Sequence, residues 1–539
     1  MRKLGNYVSG RWMEGDGDGQ LLFNAVNGEP VATATTKGID LKAALDYARQ
    51  TGNPALRQLT FHERGNRLKA LAMHLRGHLE KFYQISYMTG ATKADSWVDI
   101  EGGIGNLFAN ASLRRKFPDD VIAIDGESHN LSKGNTFMGT HILTPKEGVA
   151  IHINAFNFPV WGMLEKIAVN LLAGMPAIVK PASVTSYLTE AVVREIIASG
   201  IFPEGSLQLI CGSAGDLLDH VTSQDVVTFT GSASTGLLLK SHPRILSESV
   251  PFTMEADSLN CIVLGTDVEP GMPEWEIFIK EVRKEMTLKA GQRCTGVRRI
   301  FVPEDKLEAA SQALSAALAQ TVIGNPLQEK VRMGSLAGQQ QRKEVLTQVQ
   351  KLLASSQLIY GSLDSVELLD ADNQKGAFLS PLLLQNDSPF TSDAVHEVEA
   401  FGPVSTIMPY GNTDDAVALS KLGKGSLCST IVTADPRTAR QYVLGAAAYH
   451  GRILILNREC AKESTGHGSP LPLLVHGGPG RAGGGEEMGG IRGVKHYLQR
   501  TALQGSPNFI TAVTGVYQQY ADGNKDSIHP FRKYFEELK

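Results

Sequence analysis

From about residue 148 the chain alternates between short apolar runs and longer stretches whose apolar residues fall at helical spacing. These two periods predict most of its architecture. "GVAIHIN" reads as a buried strand, and "FPVWGMLEKIAVNLLAG" as a helix with Trp161, Leu164, Ile167, Ala168 and Leu171 toward the interior and a glycine stop. "MPAIVKPA" is a second strand. A helix is predicted over 185–199, a strand at "SLQLICG", a helix over 215–221, and a strand at "VVTFTGS" with another helix behind it. Alternation of this kind builds a parallel sheet with helices on both faces and ligands at the carboxyl ends of its strands.

A second series begins after about residue 257. A helix around 278–288 leads into "GQRCTG", "VRRIFVP" is a strand, and a helix follows from about 305. "STIVTADP" and "GRILILN" read as strands on either side of the helix "RTARQYVLGAAAYH". The fold class expected is α/β, with two parallel-sheet domains. "HGGPGRAGGGEEMGG" is too rich in glycine for either regular element and is expected to lie as a loop over a ligand mouth.

Composition narrows the function more than the fold. The 539 residues suffice for two or three domains, and 42% hydrophobic with 20% charged residues is a soluble, globular balance. A net charge of −4 provides no basic field for nucleic acid or an anionic membrane. The amino terminus has no apolar run after its early charges, and no stretch approaches the roughly 20 apolar residues of a membrane span, so a cytoplasmic location is expected. Five scattered cysteines without a CxxC pair suit free thiols and no metal site.

Candidate chemistry collects at the ends of the strands. Cys294 stands between a helix and a strand, either a small core residue or a nucleophile. In "INAFNFP", Asn157 sits at a strand-to-helix turn, where its amide either caps the helix or donates to a bound oxygen. Gly231, Ser232 and Gly236 of "FTGSASTG" follow a strand and open a helix, a place that favours a phosphate. Glu255 follows the apolar "VPFT". Desolvation there is expected to raise its proton affinity and suit it to general base work, unless a lysine or arginine pairs with it. Glu399 and Phe401 of "EVEAFGPV" supply an acceptor for hydroxyls and an aromatic face.

Taken in order, Asn157, the turn at 180–183, the 231–236 glycines, Glu255, Cys294 and Glu399-Ala-Phe-Gly-Pro resemble the aldehyde dehydrogenase superfamily. The likeness runs from "NYVSGRW" to "GRAGGGEEMGG". It implies an aldehyde dehydrogenase fold: a Rossmann-like cofactor domain (1–125 and 148–256), a thiol-bearing catalytic domain (257–455) and an oligomerisation element (126–147 and 485–539) that forms a homodimer. It also implies that Cys294 attacks an aldehyde, Asn157 holds the oxyanion, hydride passes to a nicotinamide, and Glu255 activates the water that cleaves the thioester. Glu399 would hold the nicotinamide ribose, Phe401 would pack near the ring, and Gly231, Ser232 and Gly236 would lie by the pyrophosphate. Lys180 would meet the adenosine ribose. Ser183 stands where members that prefer NAD often carry a glutamate, so NADP is expected over NAD.

Some motifs depart from the family pattern. Glu-Leu-Gly-Gly-Lys is here Glu255-Ala256-Asp257-Ser258-Leu259, and Phe-Gly-Gly-x-Lys is here His476-Gly477-Gly478-Pro479-Gly480. With "KESTGHGSPLP" and "IHPFRKYFEEL", these departures look like the dehydrogenase half of the bifunctional ring-opening enzymes of aerobic phenylacetate degradation. That likeness implies 3-oxo-5,6-dehydrosuberyl-CoA semialdehyde as substrate and a hydratase-type domain in a longer chain. The 3,4-dehydroadipyl-CoA semialdehyde dehydrogenases of benzoate breakdown share much of the pattern, and a CoA-acylating dehydrogenase is a further alternative. His467 and His476, in glycine-rich loops, are as readily solvent-facing as mouth-lining and stay outside the expected site.

Overall fold

The computed structural model describes residues 1–487 and 489–522; the tail motif "IHPFRKYFEEL" lies outside them. Two seven-stranded sheets dominate. The first runs Phe252–Glu255, Val226–Thr230, Ala150–Ile153, Ala177–Lys180, Leu207–Leu209, Asn6–Val8, Arg11–Met13. Its first five strands are parallel and the last two antiparallel. Ile153 lies level with Lys180 on one side and Phe229 on the other, while Thr230 is level with Glu255. The carboxyl ends of these strands therefore form one edge.

Helix Trp161–Ala173 covers one face and is buried on nearly every side from Met163 onward. Helix Gly102–Leu113 approaches it closely enough that a Cβ on Gly102 would lie 2.3 Å from the Trp161 ring. The helix opens on the Asp99 carboxylate, which accepts from the Val160 and Trp161 amides at 3.0 and 2.7 Å. It closes on Gly174 at φ 94°, a left-handed stop suited to glycine.

The second sheet runs Gln357–Tyr360, Leu382–Gln385, Val404–Tyr410, Val297–Pro303, Asn260–Leu264, Ser426–Val432, His450–Leu456. It is parallel except at the Gln357–Tyr360 edge. A smaller sheet joins Met138–Pro145 to Leu498–Gly505 and Ala123–Ile124.

The helix expected over 185–199 is Ser186–Ala198, and the one expected from about 278 begins earlier, at Pro273, where proline suits the first turn. The helix expected over 215–221 is only a 3-10 turn, Leu217–His220. Gly215 at φ 49° and the extended Val221 leave too few residues between them for a longer helix. Among the described residues no helix is long and apolar enough to cross a membrane.

Candidate active site

Cys294 sits in the short connection between helix Pro273–Thr287 and strand Val297–Pro303. Lys289, Ala290 and Gly291 before it all have positive φ. For the two non-glycine residues this conformation costs of order 1 kcal/mol each, so surrounding contacts must hold it. At Gly291 a Cβ would lie 2.2 Å from the Gly402 carbonyl, so only glycine fits.

Those contacts come from several sides. The Arg298 guanidinium donates to the carbonyls of Gly291 (2.9 Å), Arg293 (3.0 Å) and Gly402 (2.8 Å). Asn260 Nδ2 donates to the carbonyls of Cys294 (2.8 Å) and Gly296 (3.0 Å). Arg293 is tied to the buried Glu285 at 2.7 Å, and Thr295 Oγ1 donates to the Gly468 carbonyl at 2.7 Å. The loop is rigid by construction, and Cys294 is its partly exposed member.

Asn157 does not cap the helix; Val160 holds that position. Its Nδ2 donates to the Gln292 carbonyl at 3.0 Å, two residues before the cysteine, and its second N–H remains for another acceptor. Cys294, Asn157 and Glu255 line one cavity of about 680 Å³ with His476 and Lys166. The Cys294 sulfur, a Glu255 oxygen and a His476 ring nitrogen lie within 4.8 Å of one another. Burial, reinforced by the Glu255 charge, pushes the Cys294 thiol well up, so the resting group is the thiol with a carboxylate beside it.

The proton affinity expected for Glu255 is overturned. Burial does push it up, but His476 Nε2 at 3.1 Å from Oε2, together with the Lys166 ammonium, outweighs burial and holds the carboxyl below its usual range. Lys166 Nζ in turn lies 3.3 Å from Glu165 and 3.0 Å from Glu487. His476 is only 3% exposed and His467 is fully buried, which overturns a solvent-facing placement for either. His467 pairs with Thr430 Oγ1 at 2.7 Å and faces Cys428 Sγ at 3.3 Å, a packing role away from the cavity.

The glycine-rich stretch does lie against the mouth, and its glycines have a steric reason. A Cβ at Gly483 or Gly485 would come within 2.1 or 2.6 Å of the Met254 carbonyl. The loop therefore packs backbone to backbone on the strand that carries Glu255, and the Ala256 amide donates to the Ala482 carbonyl at 3.1 Å.

The remaining candidates lie on the adjoining strand ends, outside that cavity. Lys180 ends its strand and donates to the Pro181 carbonyl at 3.1 Å, with burial lowering its pKa; Ser183 opens the 3-10 turn that follows. Ser232 caps helix Ala233–Lys240, its Oγ accepting from the Thr235 amide at 3.4 Å. Gly231 and Gly236 are needed for packing: a Cβ would meet the Phe229 ring at 2.6 Å or Met254 Sδ at 2.5 Å. Glu399 accepts from the Ser258 amide at 3.1 Å and pairs with Arg298 at 3.4 Å. Phe401 stands edge-on to Phe156 at 5.8 Å, linking this corner to the Asn157 turn.

These parts fit a dinucleotide laid along the edge. The Asn154 side chain is 5% exposed, lines the cavity near Cys294 and has neither amide atom paired, which suits a carboxamide. The exposed hydroxyls of Ser232, Ser234 and Thr235 can donate to phosphate oxygens.

Lys166, Arg298 and Asn260 carry no role in the sequence pattern, and His476, which the pattern left between mouth and solvent, belongs to the cavity. Two signals were present: the adjacent charges Glu165-Lys166 inside an apolar helix, and Arg298-Arg299 inside a buried strand.

The model of the aldehyde dehydrogenase family matches residues 12–503. A 3,4-dehydroadipyl-CoA semialdehyde dehydrogenase of Aromatoleum evansii is 40% identical over 88% of this chain and 93% of its own length. Protein MaoC of Klebsiella aerogenes is 52% identical over 38% of this chain and 60% of its own length. A betaine aldehyde dehydrogenase point mutant of Staphylococcus aureus in complex with NAD+ shares the fold at a TM-score of 0.79, covering 94% of this chain and 97% of that chain at 21% identity. An aldehyde dehydrogenase mutant from Bacillus cereus does so at 0.79, covering 93% and 96% at 19% identity.

Proposed function

We propose a substrate and a cofactor preference from one premise: the chain belongs to the aldehyde dehydrogenase family and is an oxidoreductase that acts on aldehydes with a nicotinamide cofactor. The proposed reaction oxidises a CoA-linked semialdehyde to its acid, with NADP preferred. The observation that carries the hydrolytic chemistry is the meeting of Cys294, Asn157 and an ionised Glu255 in one cavity.

In the first half-reaction the Cys294 thiol loses its proton to solvent and its sulfur bonds to the aldehyde carbon. The carbonyl π pair moves to oxygen, where the free N–H of Asn157 receives it. The nicotinamide, when bound, supplies the two-electron oxidant that turns this thiohemiacetal into a thioester. In the second half-reaction Glu255 takes a proton from water as the water oxygen bonds to the thioester carbon, the C–S bond breaks with its pair going to the Cys294 sulfur, which takes that proton back, and the acid leaves. A CoA-acylating enzyme would need no such base.

The 3-oxo-5,6-dehydrosuberyl-CoA semialdehyde reading rests on the motif likeness and is accompanied by the MaoC match. The 3,4-dehydroadipyl-CoA semialdehyde reading is supported by the Aromatoleum relative. NADP is favoured because Ser183 puts no carboxylate near Lys180 to repel a 2'-phosphate. A cytoplasmic homodimer, with the exposed Leu498–Gly505 edge strand at its interface, completes the proposal.

The test is kcat/KM for both CoA semialdehydes against an unmodified aldehyde of similar length. A preference of about a hundredfold for either CoA substrate, with Cys294→Ala silent, supports the reading. Equal use of the simple aldehyde removes the CoA assignment, and an active Cys294→Ala removes the mechanism.

A further inference from the structure

Glu255 and His476 come from distant parts of the chain and meet in the cavity wall, both almost fully buried. Only one atom of each is engaged: His476 Nε2 faces Glu255 Oε2, while His476 Nδ1 and Glu255 Oε1 are buried without a partner. The backbone builds this pairing deliberately. The Glu487 amide donates to the His476 carbonyl at 2.8 Å, and a Cβ on Gly477, at φ 152°, would lie 2.0 Å from the Gly485 carbonyl. Any side chain there would push the loop off the Glu255 strand.

We propose that His476 is a positioning residue for thioester hydrolysis: by donating Nε2–H to Glu255 Oε2 it immobilises one carboxylate oxygen and leaves Oε1 as the oxygen that deprotonates the attacking water. The inference rests on the hydrolytic reading above. The water oxygen bonds to the thioester carbon while its proton passes to Oε1. The C–S bond then breaks with its electron pair going to the Cys294 sulfur. The thiolate takes the proton back from Oε1, and the acid product loses its own proton to solvent.

The titratable groups facing the pair are Lys166 and Glu165 from helix Trp161–Ala173, Glu487 from the loop of His476 itself, and the Cys294 thiol. All remain when His476 is replaced, which leaves only Lys166 and the Cys294 hydrogen bond to oppose the burial of Glu255. The imidazole, though burial disfavours its charge, is held above its ordinary range by Glu255, Glu165 and Glu487, as an ion pair requires.

The experiment compares wild type, His476→Phe and His476→Gln in the full chain, with hexanal and saturating nicotinamide cofactor. Rapid-mixing kinetics and intact-protein mass are recorded from pH 6 to 9. For His476→Phe the first turnover should stay within about threefold of wild type, while steady-state kcat falls about 30-fold at pH 6 and about fivefold or less at pH 9. Acyl-enzyme should accumulate on Cys294, and the acid limb of kcat should move up by about one pH unit or more. His476→Gln keeps a donor without the charge, so it should recover rate but keep the shifted limb. Superimposable pH profiles, or a first turnover that falls in step with kcat, would overturn the positioning role. A wild-type chain that reduces no cofactor with any aldehyde would instead overturn the reading of the site and this role with it.

Discussion

Glu255 and Glu399 are both buried glutamates beside the Cys294 loop, and each has a cationic side chain within about 3.5 Å, yet their proton affinities move in opposite directions. At Glu255 the His476 imidazole and the Lys166 ammonium together outweigh burial and hold the carboxyl down. At Glu399 burial wins over Arg298, and with Asp257 adding a like charge the carboxyl is pushed up to about 7. The difference lies in how the cation is shared. Arg298 spends its other donors on three backbone carbonyls around the Cys294 loop. His476 has Glu255 as its partner at contact distance, and its other ring nitrogen serves no carbonyl. A buried carboxylate stays ionised when the positive charges facing it together outweigh its burial.

The largest effect that would break this comparison is the loss of each carboxylate. Glu255→Gln should lower steady-state turnover about a thousandfold while retaining one stoichiometric reduction of cofactor per Cys294, read by rapid mixing. Glu399→Gln should lower turnover about tenfold at most, with the change expressed in the KM for cofactor. Equal losses at both positions would make the two glutamates equivalent in function.

Stability against pH separates them next. Glu399, raised from an ordinary carboxylate value of 4.5 to about 7, binds a proton more tightly in the folded chain. Its contribution is therefore complete below the unfolded carboxylate range and lost as pH rises through about 7. That shift corresponds to about 3 kcal/mol. Urea unfolding at pH 5 and pH 8 should show this slope in wild type and its absence in Glu399→Gln. Glu255, depressed in the folded state, contributes with the opposite sign: its stabilisation is present above the unfolded carboxylate range and lost only in acid, as pH falls through its folded value.

The smallest expected effect comes from adding a third carboxylate where no such network exists. Ser183→Glu places a half-exposed charge near Lys180 and should shift the NADP over NAD preference by about tenfold toward NAD, with kcat nearly unchanged. An unaltered ratio would remove Ser183 from cofactor selection.

Much of the site was legible because its parts announce themselves locally. Asn157 lies between a strand and a helix, and Cys294 between a helix and a strand; both patterns survive into the structure, although Pro159 falls before the Val160 cap and not in the helix's first turn. The expected helix over 215–221 failed for a local reason too, since the span between Gly215 and Val221 holds little more than one turn. What local pattern could not supply was the ionisation of Glu255. Apolar neighbours in sequence pointed to a raised pKa, while the groups that lower it arrive from a helix and from a glycine-rich loop far along the chain.

The sequence by itself determined the alternation of strands and helices, the family, and the candidates proposed for nucleophile, base and oxyanion donor. Each depends on residue type and on neighbours within a turn or a strand. Only the tertiary structure decided that Arg298 and Asn260 clamp the cysteine's loop, and that His476 and Lys166 set the charge of Glu255. Electrostatic interactions in a buried cavity depend on distances of a few ångströms between side chains, and the chain's folding, not its order, sets those distances.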